Sequence, residues 1–334
     1  GVLVVNGEAG DDVFTAAAFA TNTSSSTKLD GGADTDKLLF TASDNMTGVA
    51  DIVNVEQIEA QVTGAIVRGG AISGDTIVVT NFAGTTGRLN VKADAAGETI
   101  DLSKITFTGP NTGLIIAGDA GVDVIIGTAS ADTVSGGAGN DTITLTETTA
   151  KADAYTYNQT GGAAGGGLDT IIGFGAAAAL DTIAFSVAGA NAVATVGTLD
   201  TDSTGTSVAG GDAAVVSTIT GATTMGTLTA VTNIIIANLA GNIADTNALE
   251  TALEAAGGLV LTGATGKGLI AAGDAMLFAY DNGIDSFIAA VTTTAGIANT
   301  GTAATGDLVA VNLIKFTGIA DVTTLAADFA AFVA

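Results

Sequence analysis

Residues 118–144 read GDAGVDVIIGTASADTVSGGAGNDTIT and divide into three consecutive segments of nine: GDAGVDVII, GTASADTVS and GGAGNDTIT. Each opens on glycine, carries aspartate at its sixth place and a branched apolar residue at its eighth. Asp123, Asp132 and Asp141 are thereby evenly spaced, and so are Ile125, Val134 and Ile143. A repeat of this kind reads as a coil. A glycine-rich turn of six residues and a three-residue strand make half a circuit, and two nines close it.

Stacked coils bury the eighth-place residues as a column of Ile and Val, and turns two nines apart then share a side. The turn Gly118–Asp123 is expected to face Gly136–Asp141, with Gly127–Asp132 opposite. Aspartates and turn carbonyls on one side make a cage of hard oxygen donors. The candidate metal ligands are Asp119, Asp123 and Asp141 with Gly118, Ala120, Gly136 and Ala138, and Asp132 across the coil. Six or more such oxygens suit Ca2+ better than Zn2+ or a soft metal. Facing carboxylates about 5 Å apart repel by roughly 3 kcal/mol at an effective dielectric near 20, and a divalent cation reverses that sign. The expectation is a fold conditional on several calcium ions.

Composition narrows the function classes. With 9 Lys+Arg against 34 Asp+Glu the net charge is −25. Such a chain is not built to neutralise nucleic-acid phosphates or anionic lipid. Hydrophobic residues make up 47%, too many for the disorder that charge-rich chains otherwise adopt. The absence of cysteine excludes a disulfide scaffold. The absence of histidine excludes Ser-His-Asp and Cys-His arrangements and His-containing zinc sites. No GxSxG elbow is present. Apolar runs such as NIIIANLAG at 233–241 are too short to span a bilayer. The opening GVLVVNGEAGDDVF lacks Met and starts inside a repeat-like turn, which reads as part of a longer or processed polypeptide without an amino-terminal secretion signal.

Further pieces echo the motif. GEAGDDVFT at 7–15 places Asp12 sixth, and GGADTDKLL at 31–39 places Asp36 sixth, with ATNTSSSTK at 20–28 expected to loop out between them. GGGLDTIIGFG and LDTIAF supply Asp169 and Asp181 as degenerate repeats. Between residues 53 and 117, GDTIVVTNF, GRLNVKAD, GETIDLSKITFTG and GLIIAG read as stacked strands with few or no calcium turns; Leu114 holds the sixth place in GPNTGLIIA. The nines resemble the GGxGxD nonapeptides of the RTX (repeats-in-toxin) family. GGAGNDTIT fits every place, GDAGVDVII has Asp119 for its second glycine, and GTASADTVS lacks its second and fourth glycines. The resemblance implies a calcium-filled parallel β-roll and export by type I secretion. In composition it points to the S-layer proteins of that type.

The expected fold is predominantly all-β: a parallel β-roll or β-solenoid of calcium-binding nonapeptides with a mixed C-terminal capping region. The expected divisions are RTX-like repeats with a loop insertion at 1–52, a degenerate solenoid at 53–117, the calcium roll at 118–186 and a capping, assembly and secretion region at 187–334. In the last, TNALETALEAAGG reads as a helix capped by Asn247, with Glu250 completing a capping box and Gly257 ending it. AMLFAYDNGIDSFIAAV reads as a hairpin with a type I′ turn at Asn282-Gly283. DLVAVNLIKFTG reads as a strand. ADVTTLAADFAAFVA reads as a short capping helix and equally resembles an uncleaved type I secretion signal.

Repetition is what binding needs, whereas catalysis needs one constellation. The functional expectation is a non-enzymatic extracellular structural protein that self-assembles at a bacterial cell surface, as an S-layer or filament, with calcium driving folding and assembly. Its partners are further copies of itself and cell-surface polysaccharide, with neither nucleic acid nor a membrane span. The alternative is a spacer or C-terminal segment of a large secreted RTX adhesin.

Overall fold

In the computed structural model, the residues described are 4–19, 27–81, 87–94, 96–109, 111–145, 151–158, 167–175, 181–186, 213–224, 228, 234–239, 242–263, 269, 271–297 and 301–333. Of the loop expected at 20–28, residues 20–26 lie outside them and Thr27 and Lys28 begin a strand, Thr27–Asp30; the glycines up to 166 ahead of Asp169 also lie outside. The chain divides into two units, residues 1–155 with 175–181 and residues 156–174 with 182–334.

The first unit consists of short strands wound into parallel ladders. One ladder runs Val4–Asn6, Thr27–Asp30, Val49–Val53, and a second runs Val13–Thr15, Lys37–Phe40, Gln57–Ala60, Val78–Asn81, Thr106–Thr108. A third runs Asn45–Met46, Ile66–Arg68, Asn90–Lys92, Ile115–Ala117, Thr133–Ser135, continuing into Ala154 and Tyr155. The fourth contains Thr99–Asp101, Val124–Ile126 and Thr142–Thr144. The ladders are parallel because every strand is re-entered in the same direction after a circuit.

Within a strand the middle side chain points inward and its neighbours outward. Ile125, Val134 and Ile143 are accordingly buried, as are Leu38 and, in the aspartate-poor stretch, Ile58, Val67, Val91 and Ile116. Each such burial stabilises by roughly 1.5–3 kcal/mol relative to exposure. The core is therefore a continuous aliphatic column, as the eighth-place residues predict. The circuit length is less regular than the nines suggest. Register partners are 18 residues apart at Asp123 and Asp141, but 24 at Asp12 and Asp36, 20 at Asp36 and Glu56 and 25 at Glu98 and Asp123. The circuits from Asp36 to Glu56 and from Glu98 to Asp123 are longer because each holds three ladder strands, with Asn45–Met46 and Thr106–Thr108 as the added ones. The circuit from Asp12 to Asp36 holds a 3-10 turn, Ala16–Ala18.

The second unit is a mixed sheet in the order Asp169–Ile172, Leu308–Thr317, Ser286–Thr293, Ala275–Asp281, Ile234–Ala237, Val216–Ile219. Its three central strands are antiparallel and its outer pairs parallel. A helix at Thr246–Leu253 buries Leu249, Ala252 and Leu253 in the core cluster with Met276, Phe278 and Tyr280. The cap is Asp245 instead of Asn247: its Oδ1 accepts the Ala248 amide at 2.9 Å. Glu250 does not close a capping box; its Oε1 accepts the amide of Ala310 on the neighbouring strand. The helix ends at Leu253, ahead of Gly257.

The hairpin forms, but its turn differs from the expected two-residue one. Asp281 pairs with Ser286 across a four-residue loop, and within it Gly283, but not Asn282, has positive φ. Asn282 Oδ1 accepts the amides of Ile284 and Asp285, so its side chain closes the turn. At the C-terminus a 3-10 turn, Val322–Ala327, leads into a strand, Phe329–Val333, paired in parallel with Thr182–Ser186. The closing segment is thus half strand, because pairing to an open ladder satisfies its backbone as a helix would. Among the described residues no helix is long and apolar enough to cross a membrane.

Candidate metal centre

Four glycine-rich turns of the first unit share one backbone signature. At the second place, Glu8, Gly32, Asp119 and Gly137 all have positive φ, and at the fourth place so do Gly10, Asp34, Gly121 and Gly139. Third-place alanines pair in parallel bridges, Ala9 with Ala33 and Ala120 with Ala138. The turns therefore stack as two pairs: 7–12 on 31–36, and 118–123 on 136–141. The amide of Ala33 donates to the Glu8 carbonyl and that of Ala138 to the Asp119 carbonyl, both at 2.9 Å. The facing pair expected from the nines is present, and the same geometry recurs at Asp12 and Asp36 despite the longer circuit.

The sixth-place aspartates work in two halves. One oxygen braces the coil before it: Asp36 Oδ1 accepts the Asp12 amide at 2.8 Å, and Asp141 Oδ1 accepts the Asp123 amide at 2.9 Å. The second oxygen points into the gap between coils. Oδ2 of Asp12, Asp36 and Asp123 is buried there without a hydrogen-bond partner. A buried carboxylate oxygen left so costs several kcal/mol unless a cation or proton meets it. First-place glycines keep this gap open. A β-carbon on Gly118 would overlap the Gly136 carbonyl and stand 2.8 Å from Asp123 Oδ2, and one on Gly7 would overlap the Gly31 carbonyl and stand 2.6 Å from Asp12 Oδ2. A first-place carbonyl and a sixth-place carboxylate thus converge in each pair.

Electrostatics agree with that geometry. Burial pushes the Asp123 carboxyl up to about 6, and the charges of Asp141, Glu98 and Asp119 add to the shift, opposed by the Glu98 amide bond. Burial raises Asp141 as well. Among the described residues no three acidic side chains gather into one metal-sized cluster, so the donor set combines carboxylates with backbone carbonyls. All-oxygen sites of that kind suit calcium. Asp12, Asp36, Asp123 and Asp141, with carbonyls such as those of Gly31 and Gly136, fit the ion. When bound, it supplies the positive charge that lets the buried carboxylates ionise.

The remaining expected ligands are placed differently. Asp119 contributes its backbone; its carboxylate faces Lys92 Nζ at 3.3 Å. Asp132 lies in the turn 127–132, whose second and fourth residues are Thr128 and Ser130 without positive φ. A β-branched residue resists the left-handed region, so this turn does not take the shape of the other four. Asp132 Oδ1 accepts the Leu114 amide, and Oδ2 accepts the Thr128 amide. Asp181 Oδ1 accepts the Asp153 amide and Oδ2 the Gly175 amide. Asp169, in the second unit, is buried beside Tyr157, whose hydroxyl is held neutral first by burial and then by the Asp169 charge.

Three acids absent from the sequence-based set continue the same columns. Glu56 accepts the Asp36 amide, Asp123 accepts the Glu98 amide, and Asp153 accepts the Asp132 amide. Their signal is an acid two residues ahead of a buried strand centre: Glu56 before Ile58, Glu98 before Ile100, Asp153 before Tyr155. It carries no glycine pattern, so the nine-residue template passes over it.

A parallel roll whose turns present buried, cation-seeking carboxylates defines a class of calcium-binding solenoid repeat. Residues 115–145 match the family model described as RTX calcium-binding nonapeptide repeat (4 copies). By this match the stretch is similar to calcium-binding repeats of the RTX type, and such repeats are typical of secreted proteins. The turn pair at 7–36 lies outside the matched stretch. No curated protein and no solved structure matches the chain.

Proposed function

We propose that this protein is an extracellular structural element whose calcium-filled roll couples folding to self-association at a bacterial cell surface, as an S-layer or filament, after type I export. The observation that carries the reading is how the acids are used. Carboxylates across both units accept backbone amides: Asp36, Glu56, Asp123, Asp141 and Asp153 between coils, and Glu250, Glu254, Asp274, Asp285 and Asp307 in the second unit. Groups committed to holding backbone are architectural, and the repetition suits ion binding better than a reaction, which argues for a non-enzyme. A net charge of −25 keeps copies apart until cations offset it. The partners on this reading are further copies of the chain and cell-surface polysaccharide.

The test is light scattering during a calcium titration, with folding followed in parallel by circular dichroism. Association that begins as calcium reaches the millimolar range supports the assembly reading. If folding saturates while the scattered mass stays that of one chain at every protein concentration, the assembly reading fails and an adhesin spacer with the same repeats replaces it.

A further inference from the structure

The side of the roll carrying Asp132 has its own cation, and it is a side chain. Arg88 stands just ahead of the strand Asn90–Lys92 and reaches across the coils that follow. Its Nη1 donates to the Ala131 carbonyl at 2.9 Å and to the Leu114 carbonyl at 3.4 Å, and its Nη2 donates to Thr133 Oγ1 at 2.9 Å. Leu114 and Asp132 are the sixth-place residues of successive turns on this side, joined by the Leu114 amide donating to Asp132 Oδ1 at 2.8 Å. The guanidinium therefore spans the gap between two stacked turns and is held by their carbonyls, the donor type that converges in the gaps near Asp12 and Asp123. A β-carbon on Gly113 would overlap the Ala131 carbonyl and stand 3.4 Å from Arg88 Nη1, so the close approach of these two turns needs glycine as well.

The carboxylate is satisfied without a metal. Thr128 closes on Asp132 through its amide at 2.7 Å to Oδ2, and its hydroxyl lies 3.1 and 3.0 Å from Oδ1 and Oδ2. In the turn pairs at 7–36 and 118–141 the second-place residue has positive φ and leaves the sixth-place Oδ2 of Asp12, Asp36 and Asp123 without a donor. Here the second-place threonine lacks positive φ and supplies the donors itself. Arg88 adds a nearby positive charge, and each Asp132 oxygen already accepts a backbone amide.

We propose that Arg88 and Thr128 are specificity-determining residues that make this side of the roll independent of calcium, so that the ion loads the coils of residues 113–144 on one side only. The inference rests on the calcium reading of the turns at 7–36 and 118–141. On one side the ladder Val124–Ile126 with Thr142–Thr144 is completed by the ion. On the other, the ladder Asn90–Lys92, Ile115–Ala117, Thr133–Ser135 stays closed by a tethered cation that chelators cannot remove.

Amide hydrogen exchange on the full chain, in millimolar calcium and in excess chelator, tests this. In chelator, amides of 124–126 and 142–144 are expected to exchange about tenfold faster or more, while those of 115–117 and 133–135 keep their protection. Arg88→Gln is expected to lower protection at 115–117 and 133–135 even in calcium, with Arg88→Lys recovering part of it through charge alone. Loss of protection on both sides together in wild-type chain overturns the proposal while leaving the calcium reading standing. No loss on either side overturns the calcium reading and the proposal with it. Arg88→Gln protection equal to wild type shows that the guanidinium is not what closes the gap. The two wild-type measurements decide the matter even if Arg88→Gln does not fold.

Discussion

Gly118→Ala isolates the cradle from the charges, because it adds one methyl and removes no ligand. The new β-carbon would overlap the Gly136 carbonyl oxygen and lie 2.8 Å from Asp123 Oδ2, where relaxed contact needs about 3.5 Å. The coils at 118–123 and 136–141 would have to separate by about 1 Å. That strains the Gly118 amide bond to the Ser135 carbonyl, now 2.8 Å. Overpacking of this kind costs about 1–3 kcal/mol and a weakened backbone bond about 1 kcal/mol. A total near 3 kcal/mol lowers the melting temperature of a unit this size by about 6–12 °C. Gly127→Ala is the control: its β-carbon would meet Asp132 Oδ2 at 2.9 Å and nothing else within 3.5 Å. The assay is thermal unfolding by circular dichroism at several calcium concentrations. A Gly118→Ala protein that melts with wild type and titrates calcium at the same midpoint would refute the cradle.

Other perturbations separate ion binding from plain stability. Asp141→Asn, which keeps an oxygen for the Asp123 amide, is expected to weaken calcium binding about tenfold or more in calorimetric titration; Asp132→Asn, whose partners are Thr128 and Leu114, should leave that titration unchanged. In chelator, the raised carboxyls at Asp123 and Asp132, each pushed up to about 6, make the ion-free roll more stable in acid. Their contribution is complete below the unfolded value of 3.8 and is lost as pH rises through about 6. Denaturant midpoints should therefore fall between pH 4 and pH 7.5 without calcium, and a rise over that interval would contradict the burial argument. Asp245→Ala removes the helix cap and should cost about 1 kcal/mol in the second unit, equally with and without calcium, as read by urea unfolding.

The phased nines were enough to place Ile125, Val134 and Ile143 in the core and to set the turn of Asp123 against that of Asp141. Both follow from local rules: inward alternation along a strand, and glycine where a turn needs positive φ. The turns of Asp12 and Asp36 were also legible, since each keeps its first-place glycine and sixth-place aspartate, although their pairing across 24 residues was not. What lay beyond the template was long-range. Arg88 reaches Ala131 and Thr133 from more than forty residues away, and no spacing rule links them. Glu56 and Asp153 act through a backbone amide of the coil before them, a partner without side-chain identity, and the Glu98 carboxylate pairs with Arg68 thirty residues back. The helix cap shifted to Asp245 because Asn247 falls inside the helix, where its carbonyl takes the Thr251 hydroxyl. A capping residue must stand outside the first turn, and only the observed start of the helix says where that is.

The two stacked turn pairs reach the same form from circuits of 24 and 18 residues. What defines the ion position is therefore the last nine residues before each strand centre, not the contour of the loop between them. Lengthening a circuit costs only a logarithmic closure term, about 0.6 kcal/mol per doubling of a flexible loop. A chain built this way can accept inserted sequence between one turn and the next, through Phe19 and Thr27 for instance, without moving a ligand. Evolution and engineering alike are offered ladders of fixed register with variable outgrowths, on which new surface can be hung while the mineral spine stays in place.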